Sequence, residues 1–229
     1  MALVLPATED IGATVVEELD LVGGTVTDRF DDGRRLFLRA ILPISDEVRP
    51  KDVVEGGIAV RAVGQQIEVC PYLFRQVCRN GAIMPQVTET RRIRRVDLAA
   101  PSEAVEAVKD QLREAVRACS AAEVFAHAAG QFRSATTVEV PSDVPQLLML
   151  LSMRRTISAD LQSQIVRRFL RDGDRTAFGL ANAVTSVARD QEKPQVRWRL
   201  EELGGGVPAM RFPQVRPDGF AAELVTSEV

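Results

Sequence analysis

Lysine is almost missing from this chain of 229 residues. Lys51, Lys109 and Lys193 are the only three, so 26 of the 29 basic residues are arginine. A GC-rich coding sequence produces that bias, and so does phosphate binding, which exploits the forked, permanently charged guanidinium. Histidine occurs once, at His127 between Ala126 and Ala128, which removes the usual triad chemistries because nothing nearby would orient the imidazole. Cysteine occurs three times, at Cys70, Cys78 and Cys119, an odd number that argues against a disulfide framework. Aromatic residues make up 5% of the chain, with one Trp and one Tyr, too few for a broad base-stacking platform. The longest strongly apolar stretch, Val144 to Met153, contains Pro145 and Gln146 and is about half the ~20 residues of a membrane span. Met1 to Asp10 holds one proline, two acids and no basic residue, so no signal peptide is expected and a reducing cytoplasm is the expected compartment. No Gly-rich phosphate loop, His-Glu-x-x-His, Cys-x-x-Cys or nucleophile elbow occurs, and neither a catalytic residue nor a cofactor is expected.

What the chain does have is an ordinary globular composition, 45% hydrophobic and 27% charged, with charge distributed in blocks. The net charge is −3, so any anion-binding surface must be local. Residues 1–60 hold twelve acids against six bases, whereas residues 71–97 hold Arg75, Arg79, Arg91, Arg92, Arg94 and Arg95 against Glu89 and Asp97. A second basic block contains Arg154, Arg155, Arg167, Arg168, Arg171 and Arg175. Such blocks form either a solvated face or an anion-binding stripe.

The pattern predicts an α+β fold: N-terminal antiparallel β-hairpins with a short helix, then a mainly helical C-terminal half. Gly24–Phe30 and Arg34–Leu42 read as two strands joined by a tight turn at Asp31-Asp32-Gly33, where glycine tolerates positive φ. Alternation places Val26, Asp28 and Phe30 on one side of the first strand. On the second strand, Leu36, Leu38 and Ala40 oppose Arg35, Phe37 and Arg39, a mixed set that leaves one face wet. Ile58–Val63 and Val87–Val96 read as further strands, with a short helix over Pro71–Cys78 between them that turns Leu73, Phe74 and Val77 inward. From Ser102 the period is helical through Val105, Val108, Leu112, Val116 and Cys119, which predicts one long helix reaching Ala129. An extended stretch at 136–140 follows, then helices over Ser142–Met153, Ser158–Leu170 and Thr176–Asp190. Pro194 and Gly204-Gly205-Gly206 read as breakers. The expected organisation is one domain over 1–200, β-rich over 12–98 and helical over 102–191, with an irregular Pro/Gly-rich tail over 201–229.

For metal binding, Cys70, Cys78, Cys119 and His127 offer a tetrahedral donor set. Seven intervening residues within each pair do not match the tight knuckles of structural zinc sites, so buried cysteines are expected instead and no metal site.

Two stretches carry more information. Tyr72–Met84 contains Arg-x-x-Cys-x-Asn-Gly at Arg75, Cys78, Asn80 and Gly81, and resembles a signature of a family of phage- and plasmid-encoded proteins of unknown function. Thr176–Thr185 is similar to that family's second signature, an aromatic residue followed by Asn-Ala-Val-Thr, with Phe178 where tryptophan is usual and Asn182 leading the run. The resemblance spans residues 20–200 and implies a mobile genetic element and a mixed α+β fold.

On the residues themselves, Asn80-Gly81 reads as a turn, with Arg75 and Arg79 one helical turn apart beside it. Asn182 reads as either a core clamp or a group that contacts base or backbone. The functional expectation is a non-enzymatic protein that binds single-stranded DNA and promotes strand annealing or recombination. Its binding residues would be Arg75, Arg79, Asn80, Arg91, Arg92, Arg94 and Arg95, and Tyr72, Phe74 or Trp198 would stack bases. A homo-oligomer is expected by analogy with annealing rings, and no membrane partner. The alternatives are a protein-interaction scaffold or regulator of a mobile element, and a helix-turn-helix over 158–190 with its turn at Gly173.

Overall fold

A computed structural model describes residues 6–84, 91–94, 101–140, 143, 147 and 157–212, and all that follows concerns these. Helix α1 (Thr8–Leu21) precedes strands β1 (Thr25–Asp31), β2 (Arg35–Arg49), β3 (Asp52–Val63), β4 (Gln66–Arg75), β5 (Asn80–Ile83) and β6 (Arg91–Arg94). Helices α2 (Pro101–Cys119), α3 (Ala122–Ala135), α4 (Ala159–Asp172), α5 (Ala177–Arg189) and α6 (Pro194–Gly206) follow. The strands form an antiparallel meander in the order β1-β2-β3-β4-β5, with β6 pairing the first half of β4 and β5 its second half. The α+β division of the chain is therefore present, with an additional helix at the start.

Each face of the sheet has its own cover. Leu36, Leu38, Ile58, Val60, Ile67 and Val69 meet Ile11, Val15 and Leu19 of α1 and Val108, Leu112 and Val116 of α2. Further along this face, Val54, Leu73 and Ala82 join the main core with Phe125, Phe132, Phe169, Phe178 and Val184 from α3, α4 and α5. The opposite face carries Phe37, Ala59, Cys70, Tyr72 and Ile83, against which α6 places Trp198.

Several expectations change, each for a physical reason. Pro71–Cys78 is not a helix: residues 71–75 end β4 and residues 76–79 form a turn. Strand β4 is buried on both faces over most of its length, so it shows no alternation to separate it from a helix. Pro71 is tolerated there because its carbonyl accepts from Met84 N, which aims its missing donor at the junction between β5 and β6. A bulge between Val26 and Asp28 turns Val26 to the face of Leu38 and Ala40, while Asp28 and Phe30 pair with Arg39 and Phe37 on the other. The long helix divides at Ser120-Ala121, because α2 packs with α1 whereas α3 packs in the main core.

The region from Pro194 is helical rather than irregular. Pro194 starts α6 as its first residue, where a missing N–H costs nothing. The three glycines that read as breakers are the contact surface of the helix. A Cβ on Gly205 would lie 1.8 Å from the carbonyl oxygen of Ile83, so only glycine lets α6 cross β5 this closely. This crossing covers the face expected to stay wet: Phe37 and Arg39 are buried beneath α6. The helix expected over Ser142–Met153, the ends of the strand expected over Val87–Val96, and residues 213–229 of the tail lie outside the described residues.

Candidate functional site

The two signature segments, on either side of residues 85–175, meet at one end of the sheet. Arg75 is directly opposite Asn80 across the β4–β5 ladder, and both face the helices. The turn between them is made by Arg79, whose φ of 50° is left-handed, so Asn80 and Gly81 are strand residues rather than the turn itself. Gly81 is required for a different reason than expected: a Cβ there would collide with the Tyr72 hydroxyl at 1.8 Å.

Arg75 is held by Asp52, with Nε donating to Oδ1 at 2.6 Å, and its Nη1 lies 3.2 Å from Cys78 Sγ. Partial burial works against its charge, yet the bond to Asp52 keeps the guanidinium above its ordinary value. Arg49, at the end of β2, forms the matching pair with Asp174, just before α5, and also donates to Thr176 Oγ1 at 3.1 Å. Thr176 caps α5 by accepting from Gly179 N at 3.2 Å, and its hydroxyl donates to Asp174 Oδ1 at 2.6 Å. Burial opposes ionisation of Asp174, but bonds from Arg49 and Thr176 prevail and hold its carboxyl below the ordinary value. Both guanidiniums lie against Phe178, at 4.4 Å for Arg49 and 5.2 Å for Arg75.

Asn80 is 4% exposed, and its amide orientation follows from its neighbours. The Thr185 hydroxyl donates to Ala181 O, so it offers Asn80 only a lone pair, and the Asn182 carbonyl likewise can only accept. Nδ2 of Asn80 therefore takes that side, 2.6 Å from Thr185 Oγ1, and its buried Oδ1 has no hydrogen-bond donor among the described residues.

In front of this frame lies an open cleft of about 470 Å³, walled by the 76–79 turn, α4 and α5. Along α5, Asn182, Ser186 and Arg189 recur at helical spacing on the one side of a helix that is otherwise core. Arg168 and Asp172 of α4 face them. Arg49 and Arg75 are balanced by Asp174 and Asp52, whereas at the mouth Arg168 (3.2 Å) and Arg189 (3.4 Å) share the single half-exposed carboxylate of Asp190. Arg189 also donates to the Cys78 carbonyl, closing the turn onto α5.

The expected binding residues do not form one surface. Arg75 and Asn80 belong to the cleft, but as its structural frame. Arg79 is exposed toward the other face, lining a separate hollow of about 410 Å³ with Asp28, Phe74 and Arg197. Arg91 and Arg92 are exposed on β6, Arg92 with Nε 3.2 Å from Glu68. Arg94 is in the same strand, and Arg95 lies outside the described residues. Tyr72 and Trp198 cannot stack bases, because both are buried, Trp198 against Phe37 with ring centroids 6.0 Å apart. A groove-reading helix is equally unsupported, since α5 is buried along almost its whole length.

Cys70 and Cys119 are buried apart from Cys78, and His127 is exposed on α3. Among the described residues no three of His, Cys, Asp and Glu gather as metal ligands, and no helix is long and apolar enough to cross a membrane. Arg49, Asp174 and Arg189 were missed as site residues; only their convergence in space marks them. No family model, curated protein or solved structure matches the chain.

Proposed function

We propose that this protein binds single-stranded nucleic acid in the cleft between the 76–79 turn, α4 and α5, acts by binding rather than catalysis, and promotes strand annealing. The observation that carries the reading is the mouth of the cleft, where Arg168 and Arg189 share the half-exposed carboxylate of Asp190 while the other acid there, Asp172, pairs with Arg171; the shared pairing is one that a phosphate can displace at little cost. The inner pairs, Arg49–Asp174 and Arg75–Asp52, keep the cleft in shape and are not the phosphate ligands. The resemblance read from the two converging segments, were it to hold, would place the chain among proteins of phages and plasmids, for which a strand-annealing role is in keeping.

Fluorescence anisotropy of labelled single-stranded and duplex oligonucleotides at two salt concentrations tests it. The wild-type protein is expected to prefer the single strand and to lose affinity with salt. Arg168→Glu/Arg189→Glu should lower the logarithmic salt slope by about 1.4, the value for two lost phosphate contacts on a single strand. Arg91→Glu/Arg92→Glu serves as the comparison; loss of binding there alone would move the interface to β6. A folded wild-type protein that fails to bind at low salt overturns the proposal.

A further inference from the structure

On the other face of the sheet, the 76–79 turn also borders the hollow of about 410 Å³, which is walled by Asp28, Tyr72, Phe74, Gln76, Arg79 and Arg197. Its charges are unequally committed. Asp28 is taken by Arg39 at 2.8 Å and by Arg197 at 3.0 Å, and Arg197 also binds Glu201 at 3.0 Å. Glu55, opposite Phe74 on β3, does not line the hollow. Arg79 is uncommitted: it is exposed and makes no hydrogen bond or ion pair to any described residue. Its backbone is held at φ of 50°, a left-handed value that residues other than glycine adopt rarely. Tyr72, 2% exposed, brings a hydroxyl with no hydrogen-bond partner among the described residues. That hydroxyl stands over Gly81, two residues from Arg79, and burial keeps it protonated, so it has a proton to donate. Of the three aromatic rings expected to stack bases, Phe74 is the one that is only half-buried, and it lines the same hollow.

We propose that this hollow is the second half of the nucleic-acid site: a single strand bound in the cleft passes over the 76–79 turn, sets a phosphate on Arg79 with the Tyr72 hydroxyl as a further donor, and stacks a base on Phe74. The inference rests on the nucleic-acid reading above and extends it to the opposite face of the sheet. The turn joins the two openings. Val77 and Cys78 line the cleft, Gln76 and Arg79 line the hollow, and Gln76, Val77 and Arg79 are exposed along the turn between them. Arg79 supplies one uncompensated positive charge, which suits one phosphate. A single strand alternates an anion with a flat ring, and Arg79 and Phe74 offer a partner for each. An inorganic anion would use Arg79 alone, and a duplex keeps its bases within its own stack, so only a single strand uses both.

Fluorescence anisotropy with labelled oligo-dT compares the wild-type protein with Arg79→Asn and Phe74→Leu. Asparagine tolerates a left-handed backbone and leucine keeps position 74 apolar, so each variant removes one contact while the fold, checked by circular dichroism, is retained. Arg79→Asn is expected to lower the logarithmic salt slope by about 0.7, the value for one phosphate on a single strand, and to do so again in the Arg168→Glu/Arg189→Glu background. Phe74→Leu should weaken binding about tenfold at every salt concentration with the slope unchanged, within the range of one stacked base. Wild-type binding by either folded variant, while Arg168→Glu/Arg189→Glu still weakens it, overturns the inference and leaves the cleft reading standing. Loss in Arg79→Asn and Phe74→Leu with Arg168→Glu/Arg189→Glu at wild-type affinity removes the cleft from the path, and the joined site falls together with the cleft reading. If the folded wild-type protein binds no strand at low salt, both fall.

Discussion

On one face of the sheet, Arg39 is 2% exposed and lies between Asp28 of β1 and Glu201 of α6, which is itself 1% exposed. On the other, Arg49 is 32% exposed and pairs with Asp174 at 26%. Both arginines tie the sheet to a helix far along the chain, and both are supported by a second arginine, Arg197 in the first case and Arg75 in the second. The difference is in what remains open. Around Arg39 the helix closes Arg39 and Glu201 from solvent, while Arg197 and Asp28, which complete their contacts, stay partly exposed. Around Arg49 the network frames one wall of a cleft and leaves its mouth to Arg168 and Arg189. Arginine is thus used twice, once to lock a helix down and once to frame the mouth of a cleft, and the hollow beside the first network meets only its outer members, Asp28 and Arg197.

The sharpest way to separate the two is to remove each arginine's contribution to stability. Arg39→Ala leaves Glu201 buried with only Arg197 as its partner, and breaking such an enclosed pair is expected to cost about 3–5 kcal/mol. Urea unfolding followed by circular dichroism measures it. A loss below about 1 kcal/mol would place Arg39 with the weak, solvent-screened pairs and erase the distinction. Smaller is the effect of Gly205→Ala, which pushes α6 away from the Ile83 carbonyl and so loosens the cover over Arg39. An overpacking cost of about 1–3 kcal/mol is expected. The same unfolding curves report it, and a neutral result would mean that α6 does not cross β5 as closely as 1.8 Å from Gly205 requires.

The two regions were also unequally legible in the sequence, for reasons that can be traced to particular residues. The Asp31-Asp32-Gly33 turn was readable because its chemistry is local: Asp32 Oδ1 accepts from Arg34 N and Arg35 N, and Gly33 takes φ of 76°. Helix α1 was hidden by its β-branched Thr14, Val15 and Val16 and by the lack of a side-chain cap. The closed face was unreadable because Gly204-Gly205-Gly206 carries the usual mark of a loop, while its actual cause, a strand carbonyl against the helix backbone, is a contact between distant segments. In the cleft, the residue types of both signatures were visible, and so was the ambiguity of Asn182. Their meeting was not, since nothing local tells Arg49 that Asp174 will be its partner or that Arg79 will turn to the opposite face. The expected set of arginines mixed framing residues with exposed ones because charge is visible in a sequence and commitment is not.

The smallest expected effect concerns pH, and it distinguishes the open network by its sign. Asp174 has its carboxyl held below the ordinary value of 3.8 in the folded protein by Arg49 and Thr176. Its contribution to stability is therefore fully present above that value and is lost as pH falls through the lower, folded value. Asp174→Asn should lower the melting temperature near neutral pH, and the gap to the wild-type protein should narrow on acidification below about pH 4. Glu201 behaves in the opposite sense: burial pushes its carboxyl up, against the pull of Arg39 and Arg197, so its contribution declines as pH rises through the folded value. Melting curves of Asp174→Asn and the wild type between neutral and strongly acidic pH check the first sign directly. A gap that stays constant or widens on acidification would mean that the Asp174 carboxylate is not what joins Arg49 to α5, and the open frame of the cleft would have to rest on Arg75, Asp52 and Phe178 alone.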